Sequence, residues 1–394
     1  MKTLTINTIK MKNIENKKIA IVGGGPGGLT LARLLQIKGA NVKVYERDVN
    51  KDVRVQGATL DLHDDSGLKA LSEGGLMEAF KANYRPGADR TRIVDKNAQV
   101  LLDEHVNEND EFSELSRPEI DRGPLRKILL ESLEPDTVVW NSHILSLLPA
   151  GDGWQLVFQN GESASADIVI AADGANSKIR PLLTPLRPWF AGITAVEGAV
   201  YDGEKAAPRV YDLLQGGKVF AFGDEKSLIV GSKEDGSLAF YIGFKTDEFW
   251  FRNCGIDFSD KAQVLDWFIR EFSGWDPVWR ELFENARSPF IPRPQYCMPL
   301  DQTWAAQPNL TMLGDAAHLM PPYAGEGVNM AMLDALELNQ CMTSDEFPDL
   351  QTAIAAYEKQ MGARFAEIGQ MTLEQTASLH SPDAIANMMA MFGQ

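Results

Sequence analysis

Three glycines near the N-terminus have a spacing that suits the binding of a phosphate-bearing molecule. Gly23, Gly25 and Gly28 give the pattern G-x-G-x-x-G directly after the apolar run Ile19–Val22. In such a pattern the first glycine makes a tight turn, the second lets the backbone approach a pyrophosphate, and the third lets strand and helix pack closely. The apolar run predicts a buried parallel strand, and the leucines after Gly28 predict a helix whose N-terminus attracts anions.

A carboxylate at the end of the next expected strand strengthens this interpretation. Residues 41–45 predict a second strand, and Glu46 follows it. A carboxylate at that place suits the hydroxyl pair of a ribose. An ordinary tight turn is the alternative for the glycines alone, but the strand, the helix and the carboxylate together favour a dinucleotide site.

Two further turns that pair glycine with aspartate follow apolar runs later in the chain. Asp173-Gly174 comes after residues 168–171, and Gly314-Asp315 comes after residues 310–313. A loop rich in proline and glycine, residues 321–327, then leads into a helix expected over 328–338. We expect the corner at Gly25 and the corner at Asp315 to converge on one bound molecule.

Composition argues against several classes of partner. The 394 residues, 44% hydrophobic and 24% charged, suffice for two globular domains or one elaborated domain. A net charge of −17 disfavours a nucleic-acid partner, and no apolar run is long enough to predict a transmembrane helix. Three cysteines without a C-x-x-C pair fit reduced thiols in the cytoplasm, and five scattered histidines lack metal-ligand spacing. The sequence therefore predicts a cytoplasmic protein without a metal site or a membrane partner.

The middle of the chain and its C-terminus have different patterns. Short apolar runs between turn signals predict an antiparallel sheet, with strands expected at 193–200, 210–214, 219–222, 228–231 and 238–244. Ile354, Tyr357, Met361, Phe365 and Ile368 recur at three- and four-residue intervals, which predicts one apolar helix face. The fold class expected is α/β. Its expected parts are a flexible lead-in at 1–18, a discontinuous nucleotide-binding domain at 19–76, 109–182 and 285–345, an inserted sheet domain at 77–108 and 183–284, and a C-terminal helix and tail at 346–394.

Taken in order, the three turns resemble those of the single-component FAD-dependent aromatic hydroxylases typified by para-hydroxybenzoate hydroxylase. The segment Leu313–Asn329 is the most specific part of the resemblance, which spans nearly the whole chain. Within that family the chain looks most like the TetX-type tetracycline-inactivating monooxygenases. Supporting stretches are 44–48, 57–63, 118–122 and the C-terminal helix.

This resemblance implies a fold, two cofactors and a reaction. The fold is a Rossmann-like, glutathione-reductase-like FAD-binding domain with an inserted antiparallel-sheet substrate domain and a bridging C-terminal helix. NADPH reduces the flavin, O₂ then forms a hydroperoxide on flavin C4a, and a hydroxyl group passes to an aromatic or polycyclic enol substrate, with a tetracycline as one candidate. No side-chain nucleophile is expected, because the flavin carries the chemistry. A monomer is expected, with the small-molecule substrate and O₂ as its partners.

The resemblance also assigns FAD-binding roles residue by residue. Glu46 binds the adenosine ribose with Arg47 nearby, Asp61 and Arg122 contact the flavin, and Asp315 bonds to the ribityl chain. Backbone N–H groups of the proline–glycine loop lie at the pyrimidine edge of the flavin, where a helix dipole stabilises negative charge. The cofactor-binding residues expected are Gly23, Gly25, Pro26, Gly28, Glu46, Arg47, Asp61, Arg122, Asp173, Asp315, Pro322, Gly325, Gly327, Val328 and Asn329.

Two residues carry further expectations about NADPH and proton transfer. Arg54 matches a position implicated in NADPH contact, and a solvated surface arginine is the alternative. Asp173 matches an element linked to both FAD and NADPH. His318 is expected to be a hydrogen-bonded part of the flavin loop rather than an acid.

The substrate half departs from the TetX-type pattern. Where those enzymes contact tetracycline with a glutamine, an arginine and a histidine, this chain has Glu197, Lys218 and Ala239. Lysine lacks the planar fork of arginine, and alanine has no hydrogen-bonding ring. Four phenylalanines could line the cavity, since alternate residues of a strand share a face. They are Phe220, Phe222, Phe240 and Phe244.

Three other functions stay open at the sequence level. The enzyme could hydroxylate a different polycyclic or phenolic metabolite. It could use the flavin as an oxidase or a reductase. A ligand-sequestering protein that retains the fold without catalysis is the third alternative.

Overall fold

The structure is a computed structural model that describes residues 13–53, 58–106, 112, 117–287 and 289–393. The strands of these residues are β1 (Lys18–Val22), β2 (Asn41–Tyr45), β3 (Leu60–Asp61), β4 (Thr91–Asp95), β5 (Val100–Asp103), β6 (Glu119–Ile120), β7 (Val138–Val139), β8 (Ile144–Ala150), β9 (Gly153–Phe158), β10 (Ser163–Ala166), β11 (Ile168–Ala171), β12 (Trp189–Val200), β13 (Lys218–Gly223), β14 (Lys226–Ser232), β15 (Leu238–Lys245), β16 (Ile291–Cys297) and β17 (Leu310–Met312).

The helices are α1 (Pro26–Ile37), α2 (Gly67–Glu73), α3 (Met77–Lys81), α4 (Arg122–Glu131), α5 (Gly203–Ala206), α6 (Pro208–Leu214), α7 (Trp250–Asn253), α8 (Lys261–Glu271), α9 (Arg280–Asn285), α10 (Asp315–His318), α11 (Gly327–Thr343), α12 (Leu350–Leu379) and α13 (Ala384–Met391). Among the described residues, no helix is both long enough and apolar enough to cross a membrane.

A five-stranded parallel sheet forms the centre of the first domain. Its strand order is β17-β11-β1-β2-β7, and the pairings within it are all parallel. After the exposed Lys18, β1 is apolar and buried, as is β11, because helices such as α1 and the three-stranded antiparallel sheet β10-β9-β8 enclose this sheet. Helix α1 follows β1, and α11 packs against α1, so the turns that follow β1 and β17 lie at the same edge of the sheet.

A seven-stranded sheet forms the second domain, in the order β16-β12-β15-β14-β13-β4-β5. Its pairings are antiparallel except for β13 with β4. Helices α6, α8 and α9 cover its outer face with a cluster of aromatic and aliphatic side chains, among them Phe240, Phe244 and Trp267. The inner face is directed towards the first domain.

The long helix α12 bridges the two domains. Near its start, the hydroxyl of Tyr357 donates a hydrogen bond of 3.0 Å to the carbonyl of Met312 in β17. At its end, Leu379 packs with Phe222 of the second sheet. The expected apolar face is buried at Ile354, Tyr357, Met361 and Phe365. The α/β class with a bridging C-terminal helix is confirmed.

Several local expectations differ from the structure. Residues 210–214 belong to helix α6 rather than a strand, because Pro208 begins a helix and Val210 and Leu214, four residues apart, share its buried face. Within the expected lead-in, Ile14 is packed in the core and Lys18 begins β1; residues 1–12 lie outside the described residues.

The boundaries between the two domains also differ from those expected. Helix α3, expected in the sheet domain, packs through Phe80 with the first core, whereas β4 and β5 lie in the second sheet as expected. Strand β16, expected in the nucleotide-binding domain, pairs with β12 at the edge of the second sheet. No local pattern indicates the place of β16, because its partner β12 is distant in sequence.

Candidate functional site

The glycine loop between β1 and α1 depends on close backbone approaches. Gly23 has a φ of 114°, and a Cβ there would lie 2.1 Å from the carbonyl oxygen of Ala172. A Cβ at Gly28 would lie 2.1 Å from the carbonyl oxygen of Gly23. At Gly25, by contrast, no atom beyond the residue and its two chain neighbours lies within 4 Å of the Cβ position. Gly25 therefore faces open space at the N-terminus of α1, where a phosphate group can approach the backbone.

Glu46 closes this loop through its side chain. Its Oε2 accepts a hydrogen bond of 2.6 Å from the backbone N–H of Gly24, and its Oε1 accepts one of 3.0 Å from that of Asp48. The residue is only 2% exposed, while its neighbour Arg47 is exposed. The carboxylate thus shapes the loop, and its remaining lone pairs are available to a ribose.

Asp173 lies beside the same loop. The end of β11 contacts Gly23 so closely that the Cβ position of Gly23 is 3.1 Å from Cα of Asp173. Its Oδ2 accepts a hydrogen bond of 2.8 Å from the N–H of Lys178, so the side chain orders the turn that follows it. The structure therefore places Asp173 next to the dinucleotide loop. Arg54, expected to contact NADPH, lies outside the described residues.

A buried ionic network fixes the second turn. Asp334 of α11 accepts hydrogen bonds from the N–H of Gly314 at 2.8 Å, from Nε2 of His318 at 2.5 Å and from Arg364 at 2.6 Å. Burial alone would lower the pKa of His318, but the carboxylate of Asp334 raises that pKa above its ordinary value. His318 therefore acts as a buried structural partner, in agreement with the sequence interpretation.

Asp315 lies on the floor of a cleft. Its side chain is accessible to solvent, yet the surrounding protein raises the pKa of its carboxyl by desolvation. Arg180 donates hydrogen bonds to the backbone carbonyls of Asp315 at 2.7 Å and Ala316 at 2.6 Å, which holds the turn open towards the cleft. Sequence reasoning missed Arg180, because it acts across a separation of more than a hundred residues.

The proline–glycine loop packs against β3. Gly325 has a φ of 73°, and both carboxylate oxygens of Asp61 lie 3.2 Å from its Cβ position. Asn329 donates a hydrogen bond of 2.9 Å to the carbonyl of Asp61 and accepts one of 3.0 Å from the N–H of His63. These bonds fix the N-terminus of α11, whose first residues Gly327 and Val328 are partly accessible. Pro322 is exposed in the same loop.

The two turns adjoin each other through their helices. The Cβ position of Gly27, just after Pro26 in the first turn of α1, lies 2.8 Å from the carbonyl oxygen of Ala331 in α11 and 2.8 Å from a methyl group of Leu313. A single elongated molecule can therefore reach both helix N-termini. The open space at Gly25, the accessible Asp315 and the two helix dipoles fit a dinucleotide with a flavin ring.

The inner face of the seven-stranded sheet borders this cleft. Strand register places its residues in two rows, which we call the central row and the lysine row. The central row consists of Glu197, Tyr241, Ile229, Phe220 and Ile93. The lysine row consists of Ala199, Ala239, Gly231, Lys218 and Thr91.

The structure separates the four candidate phenylalanines. Phe220 is half-buried on the inner face, whereas Phe222 on the same face is fully covered by Leu379 and α13. Phe240 and Phe244 lie on the outer face, in the helix-covered core. The expectation that Phe222 lines the cavity therefore does not hold, because α13 covers this part of the face.

The two charged substrate candidates are both ion-paired. Lys218 pairs with Glu119 of β6, and Glu197 pairs with Arg293 of β16. Tyr241 lies between these two pairs, and its hydroxyl accepts a hydrogen bond of 3.1 Å from the N–H of Ala58 in the first domain.

Arg122 connects the flavin side of the cleft with the sheet. It donates a hydrogen bond of 3.2 Å to the carbonyl of Ala58. Its charge lowers the pKa of both Asp315 and Tyr241, although burial is the larger influence and raises both. Arg122 therefore lies between the two domains, within electrostatic reach of both.

A buried hydrogen-bonded chain that the sequence did not reveal joins the flavin loop to the sheet. Nδ1 of His380 lies 2.7 Å from the carbonyl of Thr376, so it donates and leaves Nε2 as an acceptor. Nε2 lies 3.0 Å from the hydroxyl of Ser227, which also bonds to the hydroxyl of Tyr323. Burial lowers the pKa of His380 to about 4, so the ring is neutral. The three polar groups fit because Gly243 beneath them has no Cβ.

Comparisons with known proteins agree with this arrangement. The family model described as "FAD binding domain" matches residues 16–224 and 302–344. Monooxygenase asqM of Emericella nidulans is 29% identical over 372 residues, which cover 82% of this chain and 82% of asqM.

Solved structures share the fold over nearly the full length. HpxO of Klebsiella pneumoniae, in complex with FAD and uric acid, has a TM-score of 0.75 at 20% identity, covering 98% of this chain and 94% of HpxO. The tetracycline destructase Tet(51) has a TM-score of 0.69 at 18% identity, covering 95% of each chain. At these identities the likeness shows a common fold.

Proposed function

This chain belongs to the FAD-binding-domain family of FAD-dependent monooxygenases, and we propose that it uses NADPH and O₂ to hydroxylate an aromatic or polycyclic enol substrate. The observation that carries the proposal is the junction of two strand-to-helix turns on one cleft, bordered by the inner face of the second sheet. A tetracycline is one substrate to be tested, supported by the fold shared with Tet(51). Other polycyclic phenols are its rivals.

The described residues divide the work between binding and exclusion of water. Backbone N–H groups at the start of α1 would hold the pyrophosphate at Gly25, and the carboxylate of Asp315 would orient the ribityl chain. The N-terminus of α11 would stabilise negative charge on a flavin bound beside it through its dipole. When bound, FAD would supply the redox chemistry of hydride acceptance and O₂ activation. Apolar side chains such as Ile229 and Phe220 keep the neighbouring cavity free of water.

Substitution of Gly25 by Ala tests whether the open space belongs to the cofactor. The new methyl group would meet no atom within 4 Å apart from those of its chain neighbours, so we expect the apoprotein to unfold at the wild-type temperature. FAD affinity should nevertheless fall at least ~10-fold, because a methyl group between backbone and pyrophosphate removes the close approach. Gly362→Ala in α12, also without neighbours, is the matched control. Unchanged FAD affinity in Gly25→Ala would refute the assignment of the loop.

The reaction itself is tested with a panel of tetracyclines and phenolic polycycles. NADPH oxidation and incorporation of one atom from labelled O₂ into the product should rise together. Product formed without O₂ would indicate a reductase. NADPH loss with peroxide release and no labelled product from any compound would indicate an oxidase instead. Ligand binding without any turnover would indicate a sequestering protein.

A further inference from the structure

The cationic groups of the inner sheet face already have anionic partners. Lys218, next to Thr91 at one end of the lysine row, pairs with Glu119, which is 1% exposed and reaches the sheet from β6 of the first domain. The charge of Lys218 also lowers the pKa of Asp61, so a second carboxylate lies within its electrostatic reach. At the opposite side, Arg293 pairs with Glu197 of the central row.

Between these two pairs the cavity floor is apolar or uncharged. Ile229 and Phe220 are half-buried members of the central row, and Gly231 is an accessible member of the lysine row. Ala239, which stands where TetX-type enzymes have a histidine, contributes only a methyl group to the floor. The floor therefore offers ring systems an uncharged surface for dispersion contacts.

An anionic group would gain little beside Lys218. A carboxylate entering beside Lys218 would compete with Glu119, which cannot leave because it is buried, and it would also be repelled by Asp61. Desolvation of the carboxylate would then lack a compensating charge-assisted hydrogen bond. An uncharged phenol, enol or amide does not incur this penalty.

Building on the proposed function, we propose that the Lys218–Glu119 pair is the specificity-determining element of the cavity, which accepts uncharged planar ring systems and rejects aromatic carboxylates. Glu119 acts through Lys218 and touches no substrate itself. Lys218 keeps its ammonium in the cavity as a donor to neutral oxygen atoms. The selection follows from the partner that the first domain supplies, since Lys218 alone would attract an anion.

A pair of isosteric probes tests the selection on the FAD-loaded wild-type protein. We choose 3-hydroxy-2-naphthamide and 3-hydroxy-2-naphthoate, which differ in charge and hardly in size. Dissociation constants come from the perturbation of the flavin absorption spectrum and from quenching of tryptophan fluorescence. We expect the amide to bind at least ~10-fold more tightly than the carboxylate. This factor corresponds to the charge-assisted hydrogen bond that the carboxylate cannot form in the site. Equal or tighter binding of the carboxylate, or failure of the amide to bind, overturns the proposal.

Variants then assign the selection to the pair. Glu119→Gln keeps the shape of the buried side chain while removing its charge, so binding of the carboxylate should tighten ~10- to 100-fold and that of the amide should change little. The double variant Glu119→Gln/Lys218→Met should lose this gain. Glu225→Gln, in the exposed Lys245–Glu225 pair of the same sheet, is the matched control and should change neither constant. A Glu119→Gln protein that folds and still rejects the carboxylate overturns the role of the pair.

The two proposals fail in different ways. A protein that does not bind FAD, or that binds both probes without any hydroxylated product from the wider panel, contradicts the proposed function. A protein that hydroxylates aromatic carboxylates as readily as their amides leaves the monooxygenase function intact and contradicts only the selection by charge.

Discussion

The flavin cleft and the inner sheet face are organised by different parts of the chain. In the cleft the backbone is decisive. Gly23 and Gly28 occupy positions where a Cβ would lie only 2.1 Å from a backbone carbonyl oxygen. On the sheet face the side chains are decisive, and pairs such as Lys218–Glu119 join strands from different domains. Backbone constraints leave a local motif in the sequence, whereas paired side chains leave none. This difference can be tested by asking which substitutions disturb which region.

The largest effect is expected in the glycine loop. Gly28→Ala forces a methyl group against the carbonyl of Gly23, and neither backbone segment can move away without opening the loop. We expect a loss of about 3 kcal/mol or more in the free energy of unfolding, together with loss of FAD binding. Urea unfolding of the apoprotein and FAD titration measure the two effects. A variant as stable as wild type would show that the turn is far more plastic than the close approach implies.

Substitution of Gly243 in β15 should destabilise the protein almost as much, because polar side chains crowd its Cβ position. A methyl group at Gly243 would lie 2.4–2.6 Å from polar atoms of Tyr323, His380 and Ser227, so the hydrogen-bonded chain must break. We expect Gly243→Ala to cost about 2–3 kcal/mol in urea unfolding. Gly231→Ala on the neighbouring strand, with no atom within 4 Å, should be close to neutral. Equal stability of the Gly243→Ala and Gly231→Ala variants would contradict a stabilising role of the hydrogen-bonded chain.

Acid should weaken the hydrogen-bonded chain of Tyr323, Ser227 and His380 by protonating His380. The folded pKa of about 4 lies below the ordinary value of 6.5, so the unfolded protein binds the proton first and stability falls as the pH drops below 6.5. The contribution of this one group is about 1.4 kcal/mol by pH 5.5. Unfolding midpoints of wild type and His380→Gln between pH 7.5 and 5.5 measure it. If the unfolding midpoint of His380→Gln had the same pH dependence as that of wild type, groups other than His380 would be responsible for it.

The smallest effect is expected where the two regions meet. Tyr241→Phe removes the hydroxyl that accepts a hydrogen bond from Ala58 of the first domain. We expect a loss of about 1 kcal/mol in the free energy of unfolding, the usual net value of a neutral hydrogen bond. Tyr201→Phe, at an exposed tyrosine, is the control. A loss above about 3 kcal/mol would mean that this contact holds the domains together more strongly than the glycine loop holds the cleft.

The sequence determined the parts of this protein that depend on neighbouring residues. The G-x-G-x-x-G turn, Glu46 after β2, the Gly314-Asp315 turn and the apolar face of α12 were each visible as short patterns, because helix and strand periods and glycine turns are local properties. The α/β class and the family membership followed from their order along the chain.

Only the tertiary structure decided which side chains meet across the chain. Glu119 reaches Lys218 from a strand 99 residues earlier, Ser227 meets His380 across 153 residues, and β16 joins the second sheet rather than the first. Strand register also decided that Phe220 and Phe240 lie on opposite faces. These contacts depend on packing between distant segments, where burial and charge pairing stabilise partners that no spacing in the sequence specifies.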